Sequence, residues 1–136
     1  MTYYLSLEPL QEPFDLGELD GAGRVQCEFN VLATRRPSAA FPQELIAILE
    51  AAGVGLEGTD IFATSAASIP TGAGPYLSIR PTGGTGPIGT HNAGAGAYRR
   101  PGAQFIVRAS TWAAAEAMAQ AAYDALIAVR NQEVAS

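Results

Sequence analysis

The chain has no lysine, one cysteine and one histidine, and each shortage excludes a class of site. Without lysine, a P-loop that binds phosphates cannot form. Cys27 alone makes neither an intrachain disulfide nor a cysteine-ligated metal cluster, so we expect a small buried hydrophobe. His91 lies within residues 61 to 115, a stretch that contains no carboxylate. This stretch therefore supplies too few ligands for a zinc or iron site. The sequence therefore indicates no catalytic residue, no metal site and no cofactor.

Charged residues are also scarce. They make up 15% of the chain against 48% hydrophobic residues, and the net charge is −5. Such a composition indicates a folded chain that places some apolar surface against a partner. The negative net charge disfavours binding to nucleic acid or to an anionic membrane. No apolar run reaches the roughly 18 residues of a spanning helix, and the amino terminus lacks signal-peptide features. We expect one domain over residues 1–136, made in the cytoplasm.

Hydrophobic periodicity predicts five strands and two helices. Alternation of Val25, Cys27, Phe29 and Val31 indicates a half-buried strand. The predicted strands are residues 3–8, 24–34, 60–64 (with a tail to Ile69), 76–80 and 103–108, and the predicted helices are residues 42–52 and 112–130. The order β-β-α-β-β-β-α predicts an α+β domain, a mostly antiparallel sheet of about five strands with two helices on one face.

The second helix has nine alanines between residues 112 and 130, with Ser110 or Thr111 as a possible cap. We expect one stripe of this helix to face the sheet, composed of Trp112, Ala115, Ala119, Ala122, Leu126 and Val129.

Residues 12–23 carry the proline and Asp-Gly signals of a connecting loop. Asp15, Glu18 and Asp20 cluster there, but the spacing of a calcium loop is missing, so a solvated turn is predicted.

Residues 81–102, PTGGTGPIGTHNAGAGAYRRPG, form a glycine-rich stretch between two predicted strands. Residues 84–89 match the spacing G-x-G-x-x-G, yet no helix follows to bind a pyrophosphate, as a dinucleotide site requires. The stretch is instead a long hairpin connection. We expect it to be mobile in a lone subunit and ordered by a neighbour.

Two arginine doublets, Arg35-Arg36 and Arg99-Arg100, each precede a proline near the end of a strand. Paired guanidinium groups bind carboxylates or phosphates, and on an acidic chain we favour intersubunit salt bridges over a DNA contact. The candidate assembly interface comprises these doublets and residues of the glycine-rich stretch: Arg35, Arg36, Thr82, Gly83, Gly84, His91, Tyr98, Arg99 and Arg100.

A series of short motifs keeps a recognisable order over residues 45–126. They are Leu45-Ile-Ala-Ile-Leu, Gly53-Val-Gly, Asp60-Ile-Phe-Ala, Tyr76-Leu-Ser-Ile-Arg-Pro-Thr-Gly-Gly84, then Tyr98, Pro101, Gln104-Phe-Ile-Val-Arg108 and an alanine-rich helix ending Tyr123-Asp-Ala-Leu126. This series resembles the tail terminator proteins of long-tailed bacteriophages, which are minor capsid proteins that join head to tail.

The amino-terminal segment departs from the order of that family. Family members follow the last helix with a strand and a loop of the type Pro-x-x-Leu-Gly-x-Asp-x-x-Gly-Arg. Here the matching stretch, residues 13–24, stands at the beginning. Residues 1–40 thus resemble the family's carboxy-terminal part, and the chain looks circularly permuted. A permuted chain requires its first strand to begin near the end of its last helix.

The resemblance implies a structural virion protein and no enzyme. It implies a sixfold homo-oligomeric ring at the head–tail junction that binds the tail tube protein, stops tube polymerisation and joins the head connector. DNA is implied only as cargo passing through the lumen, and no membrane is involved. The alternatives are a neck adaptor or stopper on the head side, and a small-ligand-binding α+β domain.

Overall fold

The computed structural model describes residues 2–19, 24–35, 41–63, 72, 74–88 and 98–134. In this part of the chain, nine strands and two helices follow one another. They are β1 (Thr2–Pro9), β2 (Phe14–Leu19), β3 (Arg24–Arg35), α1 (Phe41–Ala51), β4 (Ile61–Phe62), β5 (Tyr76–Pro81), β6 (Thr85–Ile88), β7 (Tyr98–Arg100), β8 (Gly102–Ala109), α2 (Trp112–Ile127) and β9 (Arg130–Val134).

The long strand β3 is the centre of the sheet, whose main path is β4-β5-β8-β3-β1-β9. One edge of β3 pairs with β8, from Val25 opposite Ala109 to Leu32 opposite Gly102. Its other edge pairs first with β2 and then with β1. Every pairing is antiparallel except that of β4 with β5. The predicted fold class, an α+β domain with a mostly antiparallel sheet, is confirmed.

One face of the sheet forms the hydrophobic core with both helices. The odd-numbered residues of β3, including Cys27 and Phe29, are buried there. The rings of Phe29 and Phe105 stack with centroids 4.9 Å apart, and Tyr123 of α2 meets Phe29 edge-on. Leu45 and Leu49 of α1 complete this layer. The even-numbered residues of β3 lie on the opposite face, which we call the outer face.

Both predicted helices are present, and α2 ends earlier than expected. Its amino terminus is capped by Thr111, whose Oγ1 accepts a hydrogen bond from the Ala114 amide at 3.3 Å. The prediction of a helix to Arg130 is wrong because Arg130 begins β9 and pairs with Ser6 of β1. Sheet pairing of this backbone replaces a further helical turn.

The stripe predicted to face the sheet is correct at its four middle residues. Ala115, Ala119, Ala122 and Leu126 are buried in α2, whereas Val129 is buried after the helix has ended and Trp112 is 40% exposed. Trp112 is the first residue of α2 and lies about one turn before Ala115, the first buried position. Met118, which the predicted stripe did not include, is also buried.

Four strands were not predicted: β2, β6, β7 and β9. Residues 14–19 were expected in a loop but pair with β3 as β2. The register of this pair shifts between Asp15 and Gly17, which interrupts the period-two pattern by which a strand is recognised. The predicted tail of the fourth strand, residues 64–69, lies outside the described residues, as does Asp20 of the acidic cluster.

The first strand and the end of the described chain are neighbours. Thr2 pairs with Val134 and Ser6 with Arg130, so β1 lies beside the strand that follows α2. This is the proximity that a permuted chain requires, and the resemblance itself stays a prediction. Neither helix is long and apolar enough to cross a bilayer, among the residues that the structure describes.

Replacing Phe105 with alanine tests the core. Phe105 is completely buried and stacks on Phe29, so we expect Phe105→Ala to lower the free energy of unfolding by about 3–5 kcal/mol. Urea unfolding followed by circular dichroism measures this loss. Leu56→Ala is the control, because Leu56 is 60% exposed and its truncation should cost less than about 0.5 kcal/mol. Equal losses would contradict the described core.

Candidate assembly interface

The glycine-rich stretch begins and ends in a two-stranded ribbon. Strands β5 and β8 pair within the main sheet, from Tyr76 opposite Arg108 to Pro81 opposite Ala103. Strands β6 and β7 continue the same ribbon, with Thr85 opposite Arg100 and Ile88 opposite Tyr98. We call β6 and β7 the arm. The prediction of a hairpin connection is confirmed for residues 82–88 and 98–102, and residues 89–97 lie outside the described part.

The ribbon is kinked where Thr82, Gly83 and Gly84 face Pro101 and Gly102. Gly83 and Gly84 have φ values of +87° and +69°, which side chains rarely adopt. A Cβ at Gly84 would collide with the carbonyl oxygen of Arg100 and lie 2.5 Å from the Gly102 nitrogen. The Thr82 amide donates to the Gly102 carbonyl at 2.9 Å. The base of the arm is therefore a backbone-to-backbone contact that requires glycine.

The end of β3 joins the arm to the main sheet and brings one arginine of each doublet together. The Ala33 amide donates to the Pro101 carbonyl at 2.9 Å, and Arg35 pairs with Arg99 across the strands. Arg99 is exposed and Arg100 is half-buried. Of the other candidates, Thr82, Gly83 and Gly84 are exposed, Tyr98 is described only by its backbone, and Arg36 and His91 lie outside the described residues.

Arg35 does not provide the intersubunit salt bridge that its doublet suggested. Its side chain is only 4% exposed, and its Nη1 lies 2.8 Å from Oε1 of Glu44 in α1. Its guanidinium carbon lies 4.8 Å from the centre of the Phe41 ring, within range of a cation–π contact. The reason is strand parity: Arg35 follows Val31 and Ala33 onto the core face, where α1 supplies the carboxylate.

Tyr4 completes this buried cluster. It pairs with Arg35 across β1 and β3, and its hydroxyl donates to Oε1 of Glu44 at 3.2 Å. Burial raises the pKa of Tyr4 well above its usual value, and the Glu44 charge raises it further against the opposing effect of Arg35. The phenol therefore stays neutral and acts as a donor. Tyr4, Arg35 and Glu44 tie β1, β3 and α1 together beside the arm.

Neither Tyr4 nor Glu44 was predicted as a site residue, although the sequence contains a signal for both. Glu44 directly precedes Leu45 and lies one helical turn before Ile48, which places a carboxylate at the edge of the apolar stripe of α1. Tyr4 belongs to a predicted strand with apolar residues on both sides, which hid the face that it occupies. Their partnership with Arg35 depends on strand pairing that no local pattern specifies.

The side chains described near the arm offer guanidinium groups for binding. No group of three or more histidine, cysteine, aspartate or glutamate side chains comes together as a possible metal site in the described part of the chain. The accessible polar groups near the arm are the guanidinium groups of Arg99 and Arg100, which donate hydrogen bonds to carboxylates in a fixed fork. No family model, curated protein or solved structure matches the chain.

The Tyr4 phenol predicts a dependence of stability on alkaline pH. The pKa of Tyr4 is raised in the folded state. The contribution of Tyr4 to the free energy of unfolding is therefore complete below about pH 10 and is lost above it, at about 1.4 kcal/mol per pH unit. Tyr4→Phe should remove this slope and lower stability at pH 8 by about 0.5–1.5 kcal/mol through the lost hydrogen bond.

Urea unfolding between pH 8 and 11.5 measures both effects. Tyr76→Phe is the matched control, because it removes a phenol hydroxyl elsewhere in the sheet and retains Tyr4. Parallel pH profiles for Tyr4→Phe and the unmodified chain would refute the described cluster.

The neighbouring glycines at the kink allow a matched test of the arm. Both have a positive φ, but a Cβ at Gly83 meets nothing within 4 Å, whereas one at Gly84 collides with the backbone of Arg100. Gly83→Ala should therefore cost about 1 kcal/mol of backbone strain. Gly84→Ala should cause the same loss of stability and should also separate the arm from β8.

Amide hydrogen exchange detects that separation. In Gly84→Ala we expect faster exchange at Thr82, whose amide donates to Gly102, with unchanged exchange at Leu77 in the main sheet. Equal behaviour of the two variants would mean that the close contact at Gly84 is not present.

Proposed function

We propose that this protein is a phage tail terminator. In this function it forms a homo-oligomeric ring, expected to be sixfold, that docks on the end of the tail tube, stops tube polymerisation and presents its other surface to the head connector. The motif order of residues 45–126 suggests the family, and the arm supplies the structural argument. Strand β6 pairs with β7 alone among the described strands, so its other edge is available to a partner strand.

The arm is built to reach a neighbour rather than to enclose a ligand. It continues the β5–β8 ribbon beyond the point where the backbones of Gly84 and Arg100 meet, and β7 stays paired with the end of β3. The exposed Arg99 lies at the base of the arm. It stands next to Arg35, whose charge is already neutralised by Glu44. An exposed guanidinium beside an open strand edge can bind a carboxylate of another subunit while the edge adds a strand.

Head-to-tail contacts between such subunits close into a ring when the rotation between copies divides a full turn. A closed ring consumes the strand edges that an open assembly would keep extending, which suits a component that ends a polymer. The net charge of −5 suits a ring around passing DNA, since an acidic chain does not bind the phosphate backbone. In this proposal the protein is located in the virion, with the tail tube protein and a neck protein as partners.

Light scattering and negative-stain electron microscopy of the purified chain test the proposal. We expect a ring with a mass about six times the 14.1 kDa of one chain. A monodisperse monomer would contradict it and favour the small-ligand-binding domain. A ring that binds the portal side of the neck and not the tail tube would favour the adaptor.

Deleting residues 85–97 tests the arm itself. Gly84 lies against Arg100, so joining Gly84 to Tyr98 closes the ribbon with a short turn and leaves the β5–β8 pairing intact. We expect the deleted chain to keep its circular dichroism spectrum and to lose ring formation. Gly83→Ala, which keeps the arm in place, is the control that should still form rings. Normal rings from the deleted chain would show that the arm is dispensable.

A further inference from the structure

Charge is unevenly distributed between the two layers of the domain. Both helices carry only acidic charges: Glu44 and Glu50 in α1, and Glu116 and Asp124 in α2. No arginine stands on either helix. Glu44 is buried with Arg35, whereas Glu50, Glu116 and Asp124 are exposed. The helix layer therefore presents three carboxylates and no cation of its own.

Arginines are gathered on the opposite side of the sheet. Val107 and Ile79 face the core, so their neighbours Arg108 and Arg80 lie on the outer face of β8 and β5. The hydrogen bond from Ala33 to Pro101 continues the ladder of β3 and β8 and places Arg100 on that face also. We call Arg80, Arg100 and Arg108 the arginine face. Arg80 is exposed, and the other two are half-buried.

Two glutamates share the outer face with these arginines in the part of the chain whose side chains are described. Glu28 accepts a hydrogen bond from Gln104, which lies diagonally opposite on β8. Glu8 is placed on the same face by its pairing with Leu32. Among the side chains that the structure describes, arginines outnumber glutamates on this face, in a chain whose net charge is −5. The two sides of the domain therefore have opposite sign, and no described helix covers the sheet on the outer side.

We propose that the arginine face of one copy docks on the helix layer of a second copy. Oppositely charged surfaces steer association and fix its orientation, and like-charged surfaces exclude face-to-face pairing of two sheets. Because the two surfaces lie on opposite sides of one subunit, each copy can bind a neighbour on either side. This contact is head-to-tail, the type that propagates around a ring. The inference rests on the proposed ring and identifies its lateral contact.

Nucleic acid is the other anionic surface that an arginine face could bind. Strong phosphate binding requires many cations and falls steeply with salt. Here the arginine face supplies three cations beside Glu8 and Glu28, on an acidic chain. A second copy brings the matching carboxylates on Glu50, Glu116 and Asp124, so it fits this surface better.

Complementary charge reversal tests the docking. Arg80→Glu makes the sheet side repel a helix layer, and Glu116→Arg with Asp124→Arg makes the helix layer repel an arginine face. Each variant alone should assemble at least about tenfold more weakly than the unmodified chain by sedimentation velocity. Mixed in equal amounts, the two variants should recover assemblies larger than two copies. When they alternate around a ring, the acidic sheet side of one variant meets the basic helix layer of the other, and the basic sheet side of the second meets the acidic helix layer of the first, so every contact joins opposite charges.

Arg80→Lys is the matched control, because it replaces the exposed guanidinium of the same residue and keeps the positive charge. It should assemble far better than Arg80→Glu, and circular dichroism should show that all variants are folded. Added salt should weaken assembly of the unmodified chain.

Distinct results overturn the docking and the ring. Rings that form equally well from both reversal variants overturn the docking and leave the proposed function standing, whereas an unmodified chain that stays monomeric overturns both. A mixture that stays monomeric or stops at two copies overturns the head-to-tail contact. Duplex DNA bound by the unmodified chain and lost in Arg80→Glu, with assembly unchanged, assigns the arginine face to nucleic acid and overturns docking of a second copy.

Discussion

Burial of one face of β3 is the constraint on which the other elements depend. The side chains of Cys27, Phe29 and Val31 must leave water together, and a strand can bury one face only against a second layer. The two helices supply that layer, and the stack of Phe29 on Phe105 fixes the register of β3 against β8. A slip of one residue would exchange the core face with the polar outer face, so the same constraint determines which side chains remain for binding.

The arginine doublets illustrate this division. Arg35 and Arg99 are cross-strand partners, yet one is buried and the other is exposed. The helix α1 places Glu44 against Arg35, so the buried guanidinium has a carboxylate partner within its own subunit. Arg99 stands opposite Arg35 on β7, where it is exposed. Two chemically equal residues thus have different uses, one internal and one available to a partner.

The two sides of the sheet also differ in charge, and the difference has a simple origin. Side chains alternate along strands, so Arg80 and Arg108 fall on the side opposite to the apolar residues. The helices that cover the core bring only carboxylates to the other surface. A two-layer domain of this kind has complementary opposite faces. If copies associate through them, their orientation is head-to-tail, as a ring at the end of a tube requires.

Local pattern by itself determined the fold class, both helices and the five strands with clear apolar periodicity, because alternation and capping act between near neighbours in the chain. It also indicated that the glycines of residues 81–102 serve backbone geometry rather than phosphate binding. Only the tertiary structure decided that β2 and β9 are strands, since each gains its hydrogen bonds from a distant partner. It likewise decided that Tyr4 and Glu44 enclose Arg35. The physical reason is that the energy of a buried ion pair or a strand pairing depends on groups far apart in sequence, which no local pattern encodes.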